Sequence, residues 1–444
     1  PVFTQYSWHV VRARWPLGRA RTLYFWQDSA GRSTRAPAVI LSSTGAYLTH
    51  VLTKTDRETK ASLLAALVGY FTPAVWPEAA SKAIGGVGRV GRIESLDKLQ
   101  EMVDEAQAEG RAKGADLALD VVRKLVSGAR RQMAEQGYPK AIATAMQAQR
   151  IAAQAYVRTF PTRDAEMRGV WLQSPTGANG WDWDESIRRL SRAGFNAVFV
   201  NVAWGAEAAY KSHYVPLSPL AKGKDQLALC VAACRKYGVE CHAWFLNYYL
   251  GRCSPDVVCR LKARGLLQKD KQGRTVEWLC PSHPANYALL KNLMLEVVRG
   301  YDVDGIQFDY VRYPDQSTCY CARCKAQFEE QVGHKFKTWP SDLFPSRYMP
   351  KYRQWRTDRI TRLVRGVSVQ AHGMRRRIKV SAAVRPNWEQ DRRVVGQDWV
   401  HWVREGYLDF VCPMDYLTDL ELLRRKVNKQ VGWVHGQAPV YVGL

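Results

Sequence analysis

The sequence lacks several features that would place it in a common class of protein. Its first 229 residues contain no cysteine, whereas ten cysteines follow between Cys230 and Cys412. No run approaches the roughly 18 consecutive apolar residues of a membrane-spanning helix, so this stretch contains no predicted span. No glycine-rich phosphate-binding loop is present. No signal peptide lies within this window.

Positive charge, by contrast, extends along the whole chain. The 65 lysines and arginines exceed the 41 acidic residues by 24. Residues 1–166 contain 23 basic and 15 acidic side chains, and residues 167–444 contain 42 and 26. Such a field favours anionic partners, including acidic glycans, cell-wall polymers, nucleic acid and membrane surfaces. An arginine-rich composition explains the charge equally well, and no nucleic-acid-binding motif accompanies it.

Residues 1–82 are predicted to form a small α/β accessory domain that starts abruptly. Apolar runs at 23–27 and 37–43 are bounded by turn residues, which is typical of strands. The apolar stretch at 60–71 predicts a helix.

Residues 83–166 are predicted to form a helical hairpin that links two domains. Leu99, Met102, Val103 and Ala106 follow a period close to 3.6 residues. The break at 137–139, Gly-Tyr-Pro, predicts the turn between two helices.

Residues 167–444 alternate between short apolar runs and helical segments. In the first helical segment, Asp184 is the predicted N-cap and Gly194 the predicted C-cap. Alternating strands and helices predict parallel strands joined by crossovers. Seven such strands indicate a (β/α)8 TIM barrel, truncated before its last strand, with an open doubly wound sheet as the alternative. The runs begin at residues 168, 196, 240, 304, 378, 408 and 438.

Candidate site residues follow from the rule that a barrel places its catalytic groups at the C-terminal ends of its strands. Asp309 and Asp415 each follow a predicted strand, and glycoside hydrolysis needs two carboxylates. Aromatic side chains among the other candidates offer flat apolar faces to sugar rings. A histidine inside an apolar strand is more often a core residue than a proton-transfer group. The predicted substrate-binding residues are Asn201, Trp204, His242, Trp244, Asn247, Tyr310, Arg312, Arg385 and Tyr416.

Three cysteines cluster in the segment CYCARC, as Cys319, Cys321 and Cys324. Zinc normally takes four ligands in a structural site. The cluster could bind a structural zinc ion, form a disulfide or consist of free thiols, and the sequence does not decide between these interpretations. For catalysis itself we expect no cofactor. Cys253, Cys259 and Cys280 are the candidates for a fourth ligand.

The segments YDVDGIQFDYVRYP and YLDFVCPMDY, with RGVWLQ, ECHAWFLN and WLCPSHPAN, are similar to the glycosyl hydrolase-like ten family. The resemblance covers residues 167–444 and implies a bacterial TIM-barrel glycoside hydrolase. The related clan of retaining barrels implies Asp309 as the nucleophile and Asp415 as the acid/base. The resemblance also implies export or a cell-envelope location and a glycan of the cell wall as substrate.

The first 80 residues resemble a glutamine-amidotransferase-like or β-galactosidase trimerisation-like domain, through GAYLTHVLTKTDRETKASLLAALVGYFTPAVW. This region has no cysteine, so an amidotransferase nucleophile is absent from it. The resemblance implies an accessory or oligomerising role.

The sequence therefore predicts a glycoside hydrolase acting on a polysaccharide or cell-wall glycan, which could be anionic, through two carboxylates. The first alternative is a barrel that binds glycan without cutting it. A zinc-dependent hydrolase that uses the cysteine cluster and a nucleic-acid-binding protein are further alternatives.

Overall fold

The computed structural model describes residues 20–28, 31–49, 57–161, 166–344 and 347–444. Contacts within the chain divide it into two compact units, residues 1–164 and 165–444. The division of the first unit into an accessory domain and a linker stays a prediction, and residues 1–19 and 50–56 of that accessory domain lie outside the described residues.

The first unit begins with a three-stranded antiparallel sheet and two helices. The sheet order is β1-β2-β3, and both predicted strands and the predicted helix at 60–71 are present. The elements are β1 (Arg21–Gln27), β2 (Ser33–Leu41), β3 (Ala46–Leu48), α1 (Arg57–Phe71) and α2 (Val75–Gly85).

Three further helices, α3 (Leu96–Ala108), α4 (Ala115–Ala134) and α5 (Tyr138–Arg158), complete the first unit. The last two form the predicted hairpin. One face of α5 consists of buried alanines, and these small side chains allow close packing of the helices. None of the helices in the described part of the chain is long and apolar enough to cross a membrane. The buried alanines are Ala141, Ala145, Ala148, Ala152 and Ala155.

The second unit is built on a six-stranded parallel sheet with the order β11-β10-β9-β6-β5-β4. Six of the predicted runs form these strands, and the seventh pairs with β11 through parallel bridges at Val440 and Gly443. A separate antiparallel hairpin, β7–β8, lies in the chain between β6 and β9. The strands are β4 (Gly169–Leu172), β5 (Ala197–Trp204), β6 (Glu240–Leu246), β7 (Leu267–Lys269), β8 (Thr275–Leu279), β9 (Gly305–Asp309), β10 (Lys379–Val384) and β11 (Phe410–Pro413).

Helices cover this sheet, and the first of them begins earlier than predicted. The Asp182 carboxylate accepts a hydrogen bond from Glu185 N at 2.9 Å and is the N-cap, so the assignment of Asp184 was wrong. The Asp184 carboxylate instead accepts hydrogen bonds from Lys236 and Tyr237. The C-cap is Ala193, one position before the predicted Gly194. The helices are α6 (Trp183–Arg192), α7 (Gln226–Tyr237), α8 (Pro255–Ala263), α9 (Pro284–Gly300), α10 (Ala322–Val332), α11 (Tyr348–Met374), α12 (Trp388–Val394), α13 (Trp399–Arg404) and α14 (Leu420–Val434).

The sheet curls like a barrel wall. Its strand order follows the chain without the reversal that defines a doubly wound sheet. The rings of Phe199 (β5) and Phe410 (β11) lie 6.2 Å apart, whereas four strand spacings in a flat sheet would be about 19 Å. Trp171 on β4 donates to Gln307 Oε1 on β9 at 2.6 Å and packs against Gly443. Opposite edges of the sheet therefore approach each other.

His242 lies near the N-terminal end of the strands, on the opposite side from the predicted site. It is fully buried, and its Nε2 lies 3.1 Å from the Glu240 carboxylate. Bonds from His242 and Lys379 lower the pKa of Glu240 to about 2. β6 continues four residues beyond His242, so the structure does not bring this side chain to the strand ends, and the expected substrate contact stays a prediction.

Gly305, the first residue of β9, provides the space that His242 occupies. A Cβ atom at this position would lie 2.2 Å from His242 Nδ1 and 2.7 Å from Lys379 O. Gly305→Ala should therefore lower the free energy of unfolding by about 1–3 kcal/mol, which urea denaturation would measure.

Gly300→Ala is the matched control. Gly300 ends α9, and a Cβ atom added there would meet no other atom within 4 Å, so this change should preserve or slightly raise stability. Equal stabilities for the two variants would contradict the close packing at Gly305.

Candidate active site

Asp309 ends strand β9 with its carboxylate held by two N–H groups. Oδ1 accepts from Tyr310 N at 2.6 Å, and Oδ2 accepts from Trp244 Nε1 at 3.0 Å. Only 5% of the residue is exposed. Burial raises the pKa of Asp309 to about 6, although both hydrogen bonds and the charge of Arg312 act in the opposite direction. The group is therefore ionised at neutral pH yet more basic than an ordinary aspartate.

Three aromatic rings and an arginine lie beside Asp309, and we call them the strand-end cluster: Tyr249, Trp278, Tyr310 and Arg312. Tyr249 and Tyr310 stack with centroids 4.8 Å apart, and Trp278 lies 5.5 Å from Tyr310. The Arg312 guanidinium covers Tyr310 at 4.9 Å and Trp278 at 5.2 Å. Its Nη1 donates to Tyr313 O at 3.1 Å, so backbone contacts help to fix its position.

The second predicted carboxylate, Asp415, follows β11 and is 4% exposed. Both of its oxygens accept hydrogen bonds from Gln430 Nε2 on α14, at 3.2 and 3.0 Å. The next residue, Tyr416, is 60% exposed. Partial burial and the nearby charge of Asp309 raise the pKa of Tyr416, and Tyr310 contributes to the same rise. The ends of β9 and β11 thus share one electrostatic environment.

Tyr310 and Tyr416, each directly after one of the two aspartates, have left-handed backbone conformations, with φ of +47° and +29°. Such conformations cost non-glycine residues on the order of 1–3 kcal/mol and cluster at functional sites. The backbone at both strand ends is therefore held in an unfavourable shape by its surroundings.

Arg385, after β10, is partly exposed at the rim of this region. Its guanidinium pairs with the buried Asp391 carboxylate at 2.9 Å. Burial raises the pKa of Asp391, while the charges of Arg385 and Arg312 counteract the rise. The predicted residues Asp309, Trp244, Tyr310, Arg312, Arg385, Asp415 and Tyr416 all lie at this end of the sheet.

Trp204 and Asn201 do not present their side chains for direct contact with a ligand. Trp204 has no exposed surface, its ring is covered by the Arg252 guanidinium at 4.9 Å, and its Nε1 donates to Glu207. Asn201 is equally buried, donates to Trp244 O and accepts from Arg252 Nη1 at 2.7 Å. The structure therefore places both side chains in the interior of the barrel, and the expected substrate contacts stay predictions.

Asn247 also turns away from the strand ends. Its amide donates to Met294 Sδ on α9 at 3.3 Å, on the helical side of the sheet. Only its backbone N–H reaches the site strand, donating to Asp309 O at 2.8 Å. The residue lies one position beyond the end of β6 with its side chain towards α9, so the structure does not bring it to the other predicted residues, and the expected substrate contact stays a prediction.

Sequence reasoning missed Tyr249, Trp278, Arg252 and Gln430. Trp278 lies on the β7–β8 hairpin, which is inserted between two barrel strands. The sequence did indicate this hairpin, because Gly273 lies between two short runs with strand character. In the structure Gly273 has a φ of +80° in the turn between β7 and β8. Gln430 carried no signal, since a glutamine on an amphipathic helix is ordinary surface composition.

Four cysteine sulfurs form a compact group in which all of them lie within 4.8 Å of one another: Cys280, Cys319, Cys321 and Cys324. Of the three candidates for the additional cysteine, Cys280 joins the cluster. Cys253 instead donates to Trp204 O, and Cys259 is exposed. A separate group of three buried thiols consists of Cys230, Cys234 and Cys241.

A polar surface cleft of about 370 Å³ lies beside α11 and α12. It contains none of the predicted site residues and no buried carboxylate. The strand ends are the stronger candidate because they combine buried acids, stacked rings and strained backbone. The residues lining the cleft are Gln316, Arg353, Asn387, Glu389, Gln390, Arg393 and Val394.

The curled parallel sheet, with polar and aromatic side chains at the C-terminal ends of its strands, defines a protein of the TIM-barrel class. Residues 166–444 match the family described as Glycosyl hydrolase-like 10, and the chain belongs to this family.

Two named relatives are glycosyl hydrolases. The chain is 24% identical over 300 residues to glycosyl hydrolase YngK of Bacillus subtilis (strain 168), covering 57% of this chain and 54% of that protein. It is 23% identical over 306 residues to glycosyl hydrolase DigH of Escherichia coli (strain K12), covering 56% and 65%. The chain thus spans less than two thirds of the length of either relative.

Among solved structures, the chain is similar to the PgaB (BpsB) glycoside hydrolase domain from Bordetella bronchiseptica. The TM-score is 0.45 and the identity 14%, over 61% of this chain and 81% of that one. At this TM-score and identity, the similarity supports no conclusion beyond the strand order described above.

The raised pKa of Asp309 predicts a pH-dependent effect of Asp309→Asn on stability. The folded-state pKa of about 6 exceeds the ordinary 3.8, so the folded protein holds this proton more tightly than the unfolded chain. Ionisation of Asp309 therefore destabilises the folded wild-type protein. This effect is absent at pH values well below 3.8 and complete at pH values above about 6. The free energy of unfolding of Asp309→Asn, relative to that of wild type, should therefore rise by up to about 3 kcal/mol between about pH 4 and pH 7.

Chemical denaturation at the two pH values measures this difference. Glu330→Gln, which changes an exposed carboxylate on α10, is the control and should differ from wild type equally at both. A pH-independent difference for Asp309→Asn would show that burial does not raise its pKa.

Proposed function

We propose that this protein is a glycoside hydrolase that cleaves a polysaccharide or cell-wall glycan with the carboxylates Asp309 and Asp415. Membership of a glycosyl hydrolase-like family supports the reaction class. The observation that carries the proposal is Asp309 itself, buried at the end of a central barrel strand with both oxygens oriented and an aromatic cluster beside it.

Asp309 acts as nucleophile or as general base. Either role needs an ionised carboxylate at working pH, and a pKa of about 6 provides one that remains comparatively basic. Trp244 and the Tyr310 N–H point the carboxylate in one direction, so little reorientation is needed when substrate arrives. Trp244 is thus a positioning residue.

Asp415 acts as the proton donor to the leaving oxygen. The amide of Gln430 donates to both oxygens of Asp415 and holds the carboxyl in place at the end of β11. Burial and the charge of Asp309 raise the pKa of the neighbouring Tyr416, and this electrostatic coupling supports one site formed by the two strand ends.

Sugar rings bind on the exposed ring of Tyr416 and on the partly exposed rings of Tyr249 and Tyr310. Aromatic faces suit the apolar C–H surfaces of sugars, while Arg312 and Arg385 provide donors for hydroxyl or carboxylate groups. The net charge of the barrel region, with 42 basic and 26 acidic residues, favours an anionic glycan within this substrate class.

Asp309→Asn should reduce the release of reducing ends by about 10²–10⁴-fold or more, because an amide is neither nucleophile nor base. Asp415→Asn should lower kcat by a comparable factor. The assay offers the full chain a panel of polysaccharides, including peptidoglycan stripped of its peptides. Glu330→Gln on α10 is the control and should retain wild-type turnover. Unchanged turnover in Asp309→Asn would overturn the assignment.

A glycan-binding barrel without hydrolysis is the second candidate, and the state of Asp415 favours it. Both oxygens of that carboxylate are engaged by Gln430, an arrangement that also suits a purely structural acid. Binding to a polymer by the wild type, with no new reducing ends, would establish this second function.

Tyr416 allows a test that applies to both candidates. Tyr416→Ala removes an exposed ring and should weaken glycan binding by about 0.5–1.5 kcal/mol, whereas Tyr416→Phe should retain most of the affinity. Isothermal titration calorimetry, with a polysaccharide from the panel that the wild type binds or cleaves, measures the difference in affinity. Equal affinity of wild type and Tyr416→Ala would exclude this ring from the binding surface.

A further inference from the structure

We propose that Cys280, Cys319, Cys321 and Cys324 together bind one zinc ion as four thiolates, in a structural site. The inference stands on sulfur geometry and burial alone and does not depend on the proposed function.

The distances between the sulfurs fit a tetrahedron around zinc. A Zn–S bond of about 2.3 Å places two ligands of a tetrahedron about 3.8 Å apart. The Cys280 sulfur lies 3.8 Å from that of Cys319 and 3.7 Å from those of Cys321 and Cys324. The Cys321 and Cys324 sulfurs are 3.5 Å apart. A disulfide would need about 2.05 Å, so each pair is too far apart to be bonded.

The surroundings of the sulfurs match those of a closed structural site. Cys280, Cys319 and Cys324 are buried, and Cys321 is partly buried. The Ser282 hydroxyl lies 3.0 Å from the Cys280 sulfur and 2.9 Å from that of Cys324, within reach to donate to thiolates. Such outer donors orient metal ligands and stabilise their charge. Four protein thiolates leave no open position for water or substrate, which excludes a catalytic role for this metal.

The ligands come from two segments that both support the strand-end cluster. Cys280 directly follows β8, whose Trp278 belongs to the cluster. Cys319 and Cys321 lie between β9 and α10, and Cys324 lies in the first turn of α10. Tyr320 N donates to Lys269 O at 2.8 Å, and Lys269 N donates to Cys319 Sγ at 3.5 Å. The zinc ion therefore joins the β7–β8 hairpin to the loop after Tyr310 and Arg312.

The three-thiol group of Cys230, Cys234 and Cys241 provides the internal comparison. Its nearest sulfurs are 3.9 Å apart, but within the described residues no fourth metal-ligating side chain completes the group. All three thiols lie in the hydrophobic core between α7 and β6. We assign no metal to them.

The first experiment is elemental analysis of the full chain, purified without chelator. The expected result is about one zinc per chain in wild type and a loss of that zinc in Cys280→Ser. Cys259→Ser, an exposed cysteine on α8, and Cys230→Ala, a buried one in the three-thiol group, should both retain it. Zinc-free wild type that is folded and not stabilised by added zinc would overturn the proposal, as would stoichiometric iron in its place.

A second measurement on the wild type keeps the proposal testable if Cys280→Ser fails to fold. Thiol modification in the presence of a zinc-sensitive dye should release the metal as the four cysteines react. Hydrogen exchange should then increase in residues 267–280 and 315–325, but not in strands β4 and β5. Metal release without faster exchange at these segments would overturn the joining role, and modification without metal release would overturn the site.

Discussion

The hydrogen bond from Trp244 Nε1 to Asp309 is the contact on which the candidate site depends. A buried carboxylate loses most of its hydration, and it stays ionised only where donors replace the lost water. Here two N–H groups do so, one from the neighbouring strand β6 and one from the backbone that turns away at Tyr310. Because both donors belong to the barrel wall, the direction of the carboxylate is set by the sheet itself.

The curl of the sheet explains why the two ends of the barrel differ so strongly. Near the N-terminal ends of the strands, the buried His242 lies against the Glu240 carboxylate and Gly305, and Lys379 pairs with Glu240. In the middle, Trp171 reaches Gln307 across two intervening strands. Beyond this layer, at the C-terminal ends of the strands, Tyr416 is 60% exposed, so a ligand can reach the candidate site from that end.

Much of the fold could be predicted from the sequence because parallel strands are buried on both faces. Such strands form continuous apolar runs, and all seven predicted runs form strands or strand-like pairings in the structure. Asp309 and Asp415 could be placed for a related reason: each is the first carboxylate after such a run. Side-chain direction could not be predicted, because contacts between distant segments decide it. Trp204 ends β5 yet is covered by Arg252 from the loop after β6, and Asn247, one position beyond Leu246, faces a helix.

The two carboxylates differ in how firmly they are held, and this difference bears on their roles. Asp309 is bound by a backbone N–H and by an indole that the surrounding core fixes in place. Asp415 is bound by one neutral amide on α14, a helix outside the sheet. A single hydrogen bond contributes about 0.5–3 kcal/mol, which a new contact with substrate can replace. In the proposed mechanism Asp415 therefore exchanges Gln430 for the glycosidic oxygen, whereas Asp309, held by two donors, keeps its orientation.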